Sequence, residues 1–445
     1  MSQKKSKGPI FYFLMILLYK FVTAFFSFIG YLSIPLLYIF SKKNHLRMLE
    51  RMGFYRMPSA FHGAIWIQAA SVGEVMIADK VIASMKKRHP EWNILLTVTT
   101  ATGKAMAAEK IEDVALIRHF PLDFESAVRR AISSIKPVLF IMIETEIWPN
   151  LLEKMREKKI PFMIVNGRIS DGGYRRYLRI RSFISSVLEG MKVACMSSRL
   201  HAERIKSFNV SDEKIKVTGN IKYDVGMPYS PEELSSFARM MGITEADTVF
   251  IGGSTAEGED EAILDTYREM KELCQNPLLI LAPRHLKRIP DIERILISRN
   301  YGFSNLSMLK SGEQERRDEI ILVDTIGDLF RIYAVGKIIF VGGSLVPVGG
   351  HNIIEPAIYG KPVLFGKHME NFKEIADNFV KCGAGFQVAN QKELAKKMAF
   401  LLSDDEAYRI AGANARTIVE ENVGALEATV HEIEKIMADI QLQES

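Results

Sequence analysis

Charged side chains recur directly behind short apolar runs in this sequence, where an open parallel sheet would turn them toward a ligand. Glu74 closes the stretch Gln68-Ala69-Ala70-Ser71-Val72-Gly73-Glu74, just after the first such run. A carboxylate there can accept a hydroxyl proton as a general base. It can equally serve as a dipole partner for the helix it opens. Glu144 follows the apolar run 138–143 and would face the same crevice, sharing proton transfer or orienting a substrate. Its neighbour Glu146 reads as the cap of the next helix, with Pro149 in that helix's first turn. Simple surface solvation is the plainer role open to both acids. Lys222, in Thr218-Gly219-Asn220-Ile221-Lys222-Tyr223-Asp224, stands where the chain passes between its halves. It can neutralise a leaving phosphate, although an ordinary surface lysine has the same spacing.

The later half carries groups suited to phosphate. Ala282-Pro283-Arg284-His285 ends an apolar run, and Arg284 offers a planar fork to an anion. In Asp324-Thr325-Ile326-Gly327-Asp328, the amides of Ile326, Gly327 and Asp328 open a helix and can hold a base or ribose. From Val341 to Gly366 an apolar strand empties into a turn with Gly342, Gly343, Ser344, Gly349 and Gly350. Its amides are expected free to point at negative charge. His351 follows, then Asn352, Ile353, Ile354 and Glu355, with Asn352 and Glu355 placed to reach the ligand or cap the helix. Gly252-Gly253-Ser254-Thr255 precedes Glu257, Glu259, Asp260 and Glu261, acids that would repel a phosphate. That turn is therefore read as serving a neutral or cationic group, or geometry alone. The strand–glycine turn–helix unit points to a nucleotide-sugar site. No P-loop signature, Asp-x-Asp pair, His-Glu-x-x-His or Gly-x-Ser-x-Gly occurs.

These positions need a parallel sheet behind them, and the pattern supplies one. Apolar runs at 65–69, 94–98, 138–143, 162–165 and 193–196 alternate with helix-length segments. The alternation pauses at a polar stretch, Met227 to Leu234, and resumes at 249–252, 278–281, 320–323, 337–341 and 363–365. The tail from Glu406 to Gln441 reads as helices. The expectation is an α/β chain of two Rossmann-like domains facing across a cleft, spanning 46–226 and 227–445. The last helices are allowed to pack back on the first domain.

At 445 residues the chain is long enough for both domains, and its net charge of +5 is too mild to indicate a nucleic-acid partner. Cys195, Cys274 and Cys382 make neither a disulfide framework nor a zinc spacing, which favours a reducing compartment. Residues 1–45 break the soluble pattern. From Ile10 to Phe40 the charged residue is Lys20, a length sufficient to cross or embed in a bilayer. Lys4, Lys5 and Lys7 precede this segment; Lys42, Lys43, Arg47, Arg51 and Arg56 follow it. The heavier basic side lies toward the body, which places the body in the cytoplasm. A retained anchor is preferred over a signal peptide, because no small-x-small cleavage site ends the segment.

Taken together, the anchor, SVGE, ETEIWPN, GNIKYD, APRH and GGSLVPVGGHNIIEPA with GKPVLFG resemble the Kdo (3-deoxy-D-manno-octulosonic acid) transferases, glycosyltransferase family 30. The resemblance runs over essentially the whole chain. It implies a membrane-anchored GT-B enzyme of lipopolysaccharide synthesis in the inner membrane, with CMP-Kdo as donor and a lipid A precursor (lipid IVA) as acceptor. By the same resemblance Glu74 is the general base, and Glu144 and Lys222 stabilise the transition state. CMP then binds at Pro283 and Arg284, at Ile326 to Asp328, and at Asn352 to Glu355, with Gly343 and Ser344 in the adjoining turn. Neither metal nor other cofactor is expected. A nucleotide-sugar epimerase of the same fold is the rival enzyme, and a membrane-anchored scaffold without catalysis is the rival of another class.

Overall fold

The computed structural model describes residues 9–111, 115–225 and 229–444. The chain divides into two compact units, one running to Asp224 and resuming at Asn422, the other from Val225 to Glu421. The expected linker at Met227 falls partly outside the described residues, as do Lys4, Lys5 and Lys7.

The first unit is built on β1 (Ile65–Ala69), β2 (Ile94–Val98), β3 (Leu116–His119), β4 (Leu139–Ile143), β5 (Phe162–Gly167), β6 (Met191–Met196) and β7 (Ile215–Val217). They pair in parallel in the order β3-β2-β1-β4-β5-β6-β7. Strands β1, β2, β4 and β5 are buried at every position. A strand covered on both faces has no solvent side to make polar, so it reads as a continuous apolar run. Ahead of the sheet come helices α1 (Pro9–Phe40) and α2 (Lys42–Arg51); α3 (Val72–Arg88) follows β1. Val75, Ala78, Val81 and Ile82 of α3 share a core with Val430, Ile433 and Met437 of the last helix, Ala425–Glu444. The tail thus belongs to the first unit. Asp224 secures it there, its carboxylate accepting the Gly424 and Leu426 N–H groups at 2.7 and 2.5 Å.

The second unit holds β8 (Thr248–Thr255), β9 (Pro277–Pro283), β10 (Phe303–Asn305), β11 (Ile320–Leu322), β12 (Ile338–Val341), β13 (Val363–Gly366) and β14 (Gly385–Val388). They are also all parallel, ordered β10-β11-β9-β8-β12-β13-β14. Each unit is therefore a doubly wound α/β sheet, the two-Rossmann make-up expected of a GT-B enzyme. The winding reverses between β1 and β4 in one sheet and between β8 and β12 in the other. Crevices at the carboxyl ends of strands open at such reversals.

Candidate active site

In the first unit, the first turn of α3, just after β1, carries Glu74 and the loop leaving β4 carries Glu144, so the two acids flank the reversal point. Ser71 caps α3 by accepting the Glu74 N–H at 3.4 Å. In return the Glu74 carboxyl accepts the Ser71 hydroxyl at 2.9 Å and the Ala70 N–H at 2.7 Å. This reciprocal cap holds the side chain at the mouth of β1, where it is 7% exposed. The structural role weighed from the sequence is real, and a chemical role would use the same fixed group. Burial pushes the Glu74 pKa from 4.5 to about 8, opposed by the Ala70 N–H. The charges of Glu144 and Glu146 push it further up, and the Ser71 hydroxyl pulls it back. A carboxyl that ionises near neutrality is matched to taking a proton from a hydroxyl.

Glu144 has φ of 58°, a left-handed conformation that costs about 1–3 kcal/mol in a non-glycine residue. Two bonds hold it there: its N–H donates to the Val165 carbonyl at 2.8 Å, and its carboxylate accepts from Arg168 at 3.2 Å. Glu146 does not cap the following helix, Pro149–Glu157. That role falls to Asp123, which accepts the Asn150 and Leu151 N–H groups at 3.0 and 2.9 Å. Pro149 does occupy the first turn as expected. Glu146 instead joins the acid cluster, its pKa raised by burial and then by Glu144.

Lys222 is set by its neighbours. Ile221 and Tyr223 are buried on either side, and the Ile221 N–H donates to Asn166 at 2.9 Å. Asn220 accepts the Lys222 N–H at 3.1 Å. The Lys80 ammonium, donating to the Ile221 and Asp224 carbonyls at 3.2 and 2.6 Å, ties the segment to α3. A methyl placed on Gly73 would sit 3.8 Å from the Lys222 ammonium. Two cations, Lys222 and the Arg168 that holds Glu144, therefore gather with the carboxyls of Glu74, Glu144 and Glu146 near the start of α3.

In the second unit, Pro283 is buried at the end of β9 and Arg284 is exposed just beyond it. The Arg284 N–H donates to the Thr255 carbonyl at 3.0 Å, anchoring the backbone of this exposed residue. Near it His351 is held neutral: burial, then Arg284 and His285, lower its pKa to about 4. Arg284 thus brings positive charge to the loop after β9, beside a His351 that carries none.

The glycine turn departs from expectation. The N–H groups of Gly343, Ser344 and Leu345 donate to the buried Glu259 carboxylate at 2.6, 2.9 and 2.8 Å, and the Ala256 N–H does so at 2.8 Å. The Ser344 hydroxyl donates to the Val341 carbonyl and accepts the Gly366 N–H. These amides are not free for a ligand; an internal carboxylate fills the nest, because the helix after β8 brings Glu259 beneath the turn. The glycines are needed for close approach: a Cβ on Gly342 would lie 2.7 Å from Glu259, and one on Gly343 2.8 Å from the His351 ring. Geometry, rather than a neutral or cationic ligand, accounts for Glu259, and the pair with Arg288 for Asp260, while Glu257 and Glu261 are exposed.

The remaining donor-side residues divide in two. Asp328 is 2% exposed and accepts from Lys310 at 3.0 Å and from Thr325 and Arg331. Burial raises its pKa, but those hydrogen bonds outweigh burial and leave it below the usual value. Its side chain is thus committed within the fold, whereas Ile326 is 88% exposed and Gly327 has open space around it. Asn352 donates to Glu355 at 3.1 Å and accepts the Ile354 N–H at 3.1 Å, which ties both side chains to the start of the helix Ile354–Ile358 from just outside its cap position. Ile353 and Ile354 bury their side chains completely, which leaves only their backbone for a ligand. Sequence alone gives Arg168 and His351 no role and groups Glu259 only with acids that would repel a phosphate. Arg168 follows β5 on the same sheet edge as Glu144, and that placement is the signal that could have found it.

The acid cluster lies on one doubly wound unit and Arg284 at a strand end of the other, groups suited to proton transfer and to binding an anion. The family profile described as 3-deoxy-D-manno-octulosonic-acid transferase (kdotransferase) matches residues 46–225. A 3-deoxy-D-manno-octulosonic acid transferase of Haemophilus influenzae is 32% identical over 403 residues, covering 90% of this chain and 92% of that one. A bifunctional glycosyltransferase/methyltransferase of Fusobacterium nucleatum is 37% identical over 335 residues; the match covers 75% of this chain but 51% of that longer protein. Among solved structures, the C-terminal CMP-Kdo binding domain of WaaA from Acinetobacter baumannii is 26% identical. That match covers 42% of this chain and 96% of the domain, at a TM-score of 0.39. The chain belongs to the 3-deoxy-D-manno-octulosonic acid transferase family of glycosyltransferases.

Proposed function

We propose that the protein transfers Kdo from CMP-Kdo to a hydroxyl of a lipid A precursor, lipid IVA, with inversion at the anomeric carbon. The observation that carries this reading is the Glu74 carboxyl, fixed by two hydrogen bonds at the start of α3 and poised to ionise at about pH 8. Glu74 takes the acceptor's proton as the new C–O bond forms and the bond to the CMP phosphate breaks. Such a base contributes on the order of 10²–10⁴-fold. Glu144, steadied by Arg168, and Lys222 stabilise the charges that develop in the transition state. The CMP segments are Pro283–Arg284, the exposed loop at Ile326–Gly327, and the backbone at Asn352–Glu355, with Asp328 and the Gly343–Ser344 turn as their internal supports. Arg284 receives the leaving phosphate, so the reaction runs without a metal, and chelator leaves the rate unchanged. Helix α1 attaches the enzyme to the inner membrane with its catalytic units on the cytoplasmic side. No nucleic-acid partner is involved.

The test is incubation with CMP-Kdo and lipid IVA followed by mass spectrometry. Sugar-extended lipid supports the transferase. Modified free sugar without extended lipid would favour an epimerase, and CMP binding without turnover would favour a scaffold.

A further inference from the structure

Helix α1 is long and apolar enough to cross a bilayer, with a candidate span at Met15–Pro35 of which only 6% is buried. Its side chains nevertheless divide between a side bonded to the folded unit and a bare apolar side. Tyr19, Thr23, Ser27 and Tyr31 recur every fourth residue and so line one side. That side is bonded to the folded unit along its length. The Tyr19 hydroxyl donates to Asp123 at 2.7 Å, and Lys20 pairs with Glu153 at 2.9 Å. Asn150 donates to the Thr23 hydroxyl at 3.3 Å, and Ser27 and Tyr31 meet the Ser126 hydroxyl at 3.2 and 3.0 Å. Gly30, lacking a side chain, lets the helix approach Met52 and Phe124 closely. On the opposite face Leu18, Phe21, Phe25, Phe28, Ile29 and Leu32 are all exposed.

A helix that spans a bilayer is surrounded by lipid or by other spanning elements. This one is zipped sideways to helices Glu125–Ile135 and Pro149–Glu157, which carry Arg129, Arg130, Lys154 and Arg156. Crossing would draw those charges into hydrocarbon or break the whole row of bonds. A helix bonded along one side to a folded unit can meet lipid with its bare side by laying that side into one leaflet.

We propose that α1 does not cross the membrane but lies flat in one leaflet, its Leu18–Leu32 face inserted and its Tyr19–Tyr31 face joined to the first unit. This rests on the membrane attachment proposed above and specifies its form. Charge indicates that the surface is anionic. Arg156 lines both a small hollow beside Ile16, Tyr19 and Lys20 and a neighbouring cavity of about 970 Å³. That cavity is walled by Lys136, Lys158, Lys159 and Lys192, with Asp439 the acid in its lining, and suits headgroup phosphates. At the far end of α1 follow Lys42, Lys43, Arg47 and Arg51.

Spin labels on single cysteines at positions 18, 21, 25, 28 and 32, in a background with Cys274 and Cys382 replaced by serine, test the geometry. Depth is read by oxygen and nickel-chelate accessibility on phosphatidylethanolamine vesicles with and without phosphatidylglycerol. A flat helix gives one common depth at all five positions. A spanning helix gives a gradient of about 21 Å from Leu18 to Leu32, at ~1.5 Å per residue, and overturns the proposal. Each alanine at Lys136, Lys158, Lys159 or Lys192 is expected to weaken binding to the anionic vesicles about fivefold. Failure to bind either vesicle, with α1 instead shielded in a dimer, would overturn flat insertion and membrane attachment together. Sugar transfer assayed in detergent stays readable in every case, so failure here is distinguishable from failure of the transferase reading.

Discussion

Replacing Glu74 by glutamine separates the chemical role of this side chain from its role as a helix cap. The amide keeps the local bonds: its oxygen can accept the Ala70 N–H, and its NH₂ can donate to the Ser71 hydroxyl. What it loses is the ionisable proton. The wild-type carboxyl holds that proton more tightly when folded, since its pKa rises from 4.5 to about 8. Its contribution to stability is therefore present in full below pH 4.5 and is lost as the pH climbs through 8. At roughly 1.4 kcal/mol per pH unit, the loss reaches at most about 5 kcal/mol. The glutamine variant has no such loss. Urea denaturation at pH 5 and pH 9 should show wild type weakening more steeply than Glu74→Gln. Trp66, Trp92 and Trp148 are the chain's three tryptophans and all lie in the first unit, so fluorescence reports on the unit concerned. Transfer by the variant should fall about 10²–10⁴-fold, and wild-type kcat/KM should rise with pH toward a plateau above about 8. Equal pH dependence of stability in the two proteins, or variant activity within a few fold of wild type, would refute the reasoning.

Three further changes probe the other groups. Arg284→Lys keeps the charge but removes the fork, and calorimetry should find CMP bound about 10–100-fold more weakly; unchanged affinity would remove Arg284 from the donor site. Lys222→Ala should lower kcat about 10²–10³-fold while KM for the lipid changes little, a pattern that a mere surface lysine would not give. Glu259→Ala strands four amide N–H groups in the second unit, at about 1–3 kcal/mol each. Differential scanning calorimetry should show a clearly lower transition; an unaltered one would mean the glycine turn does not depend on this carboxylate.

Strands and helices were legible in the chain because each is governed by nearby residues: buried parallel strands read as apolar runs, and Ser71, Gly73 and Glu74 mark a helix start. For the same reason Glu74, Glu144 and Arg284 could be placed at strand ends, since the residue after a strand must emerge at the sheet edge. Partners brought together by sheet order were beyond local pattern. Glu259 occupies the glycine-turn amides from more than eighty residues away, Asp123 rather than Glu146 caps the helix at Pro149, and Arg168 steadies Glu144 from the adjoining strand. The Glu74 pKa belongs to the same class, because burial and the nearness of two other acids exist only once β1 and β4 are side by side. The apolar length of α1 was plain in the sequence, but which face packs on the folded unit was settled by the bonds its polar stripe makes there. Local chemistry sets where a side chain begins; long-range packing sets what it meets, and so which charges it can carry.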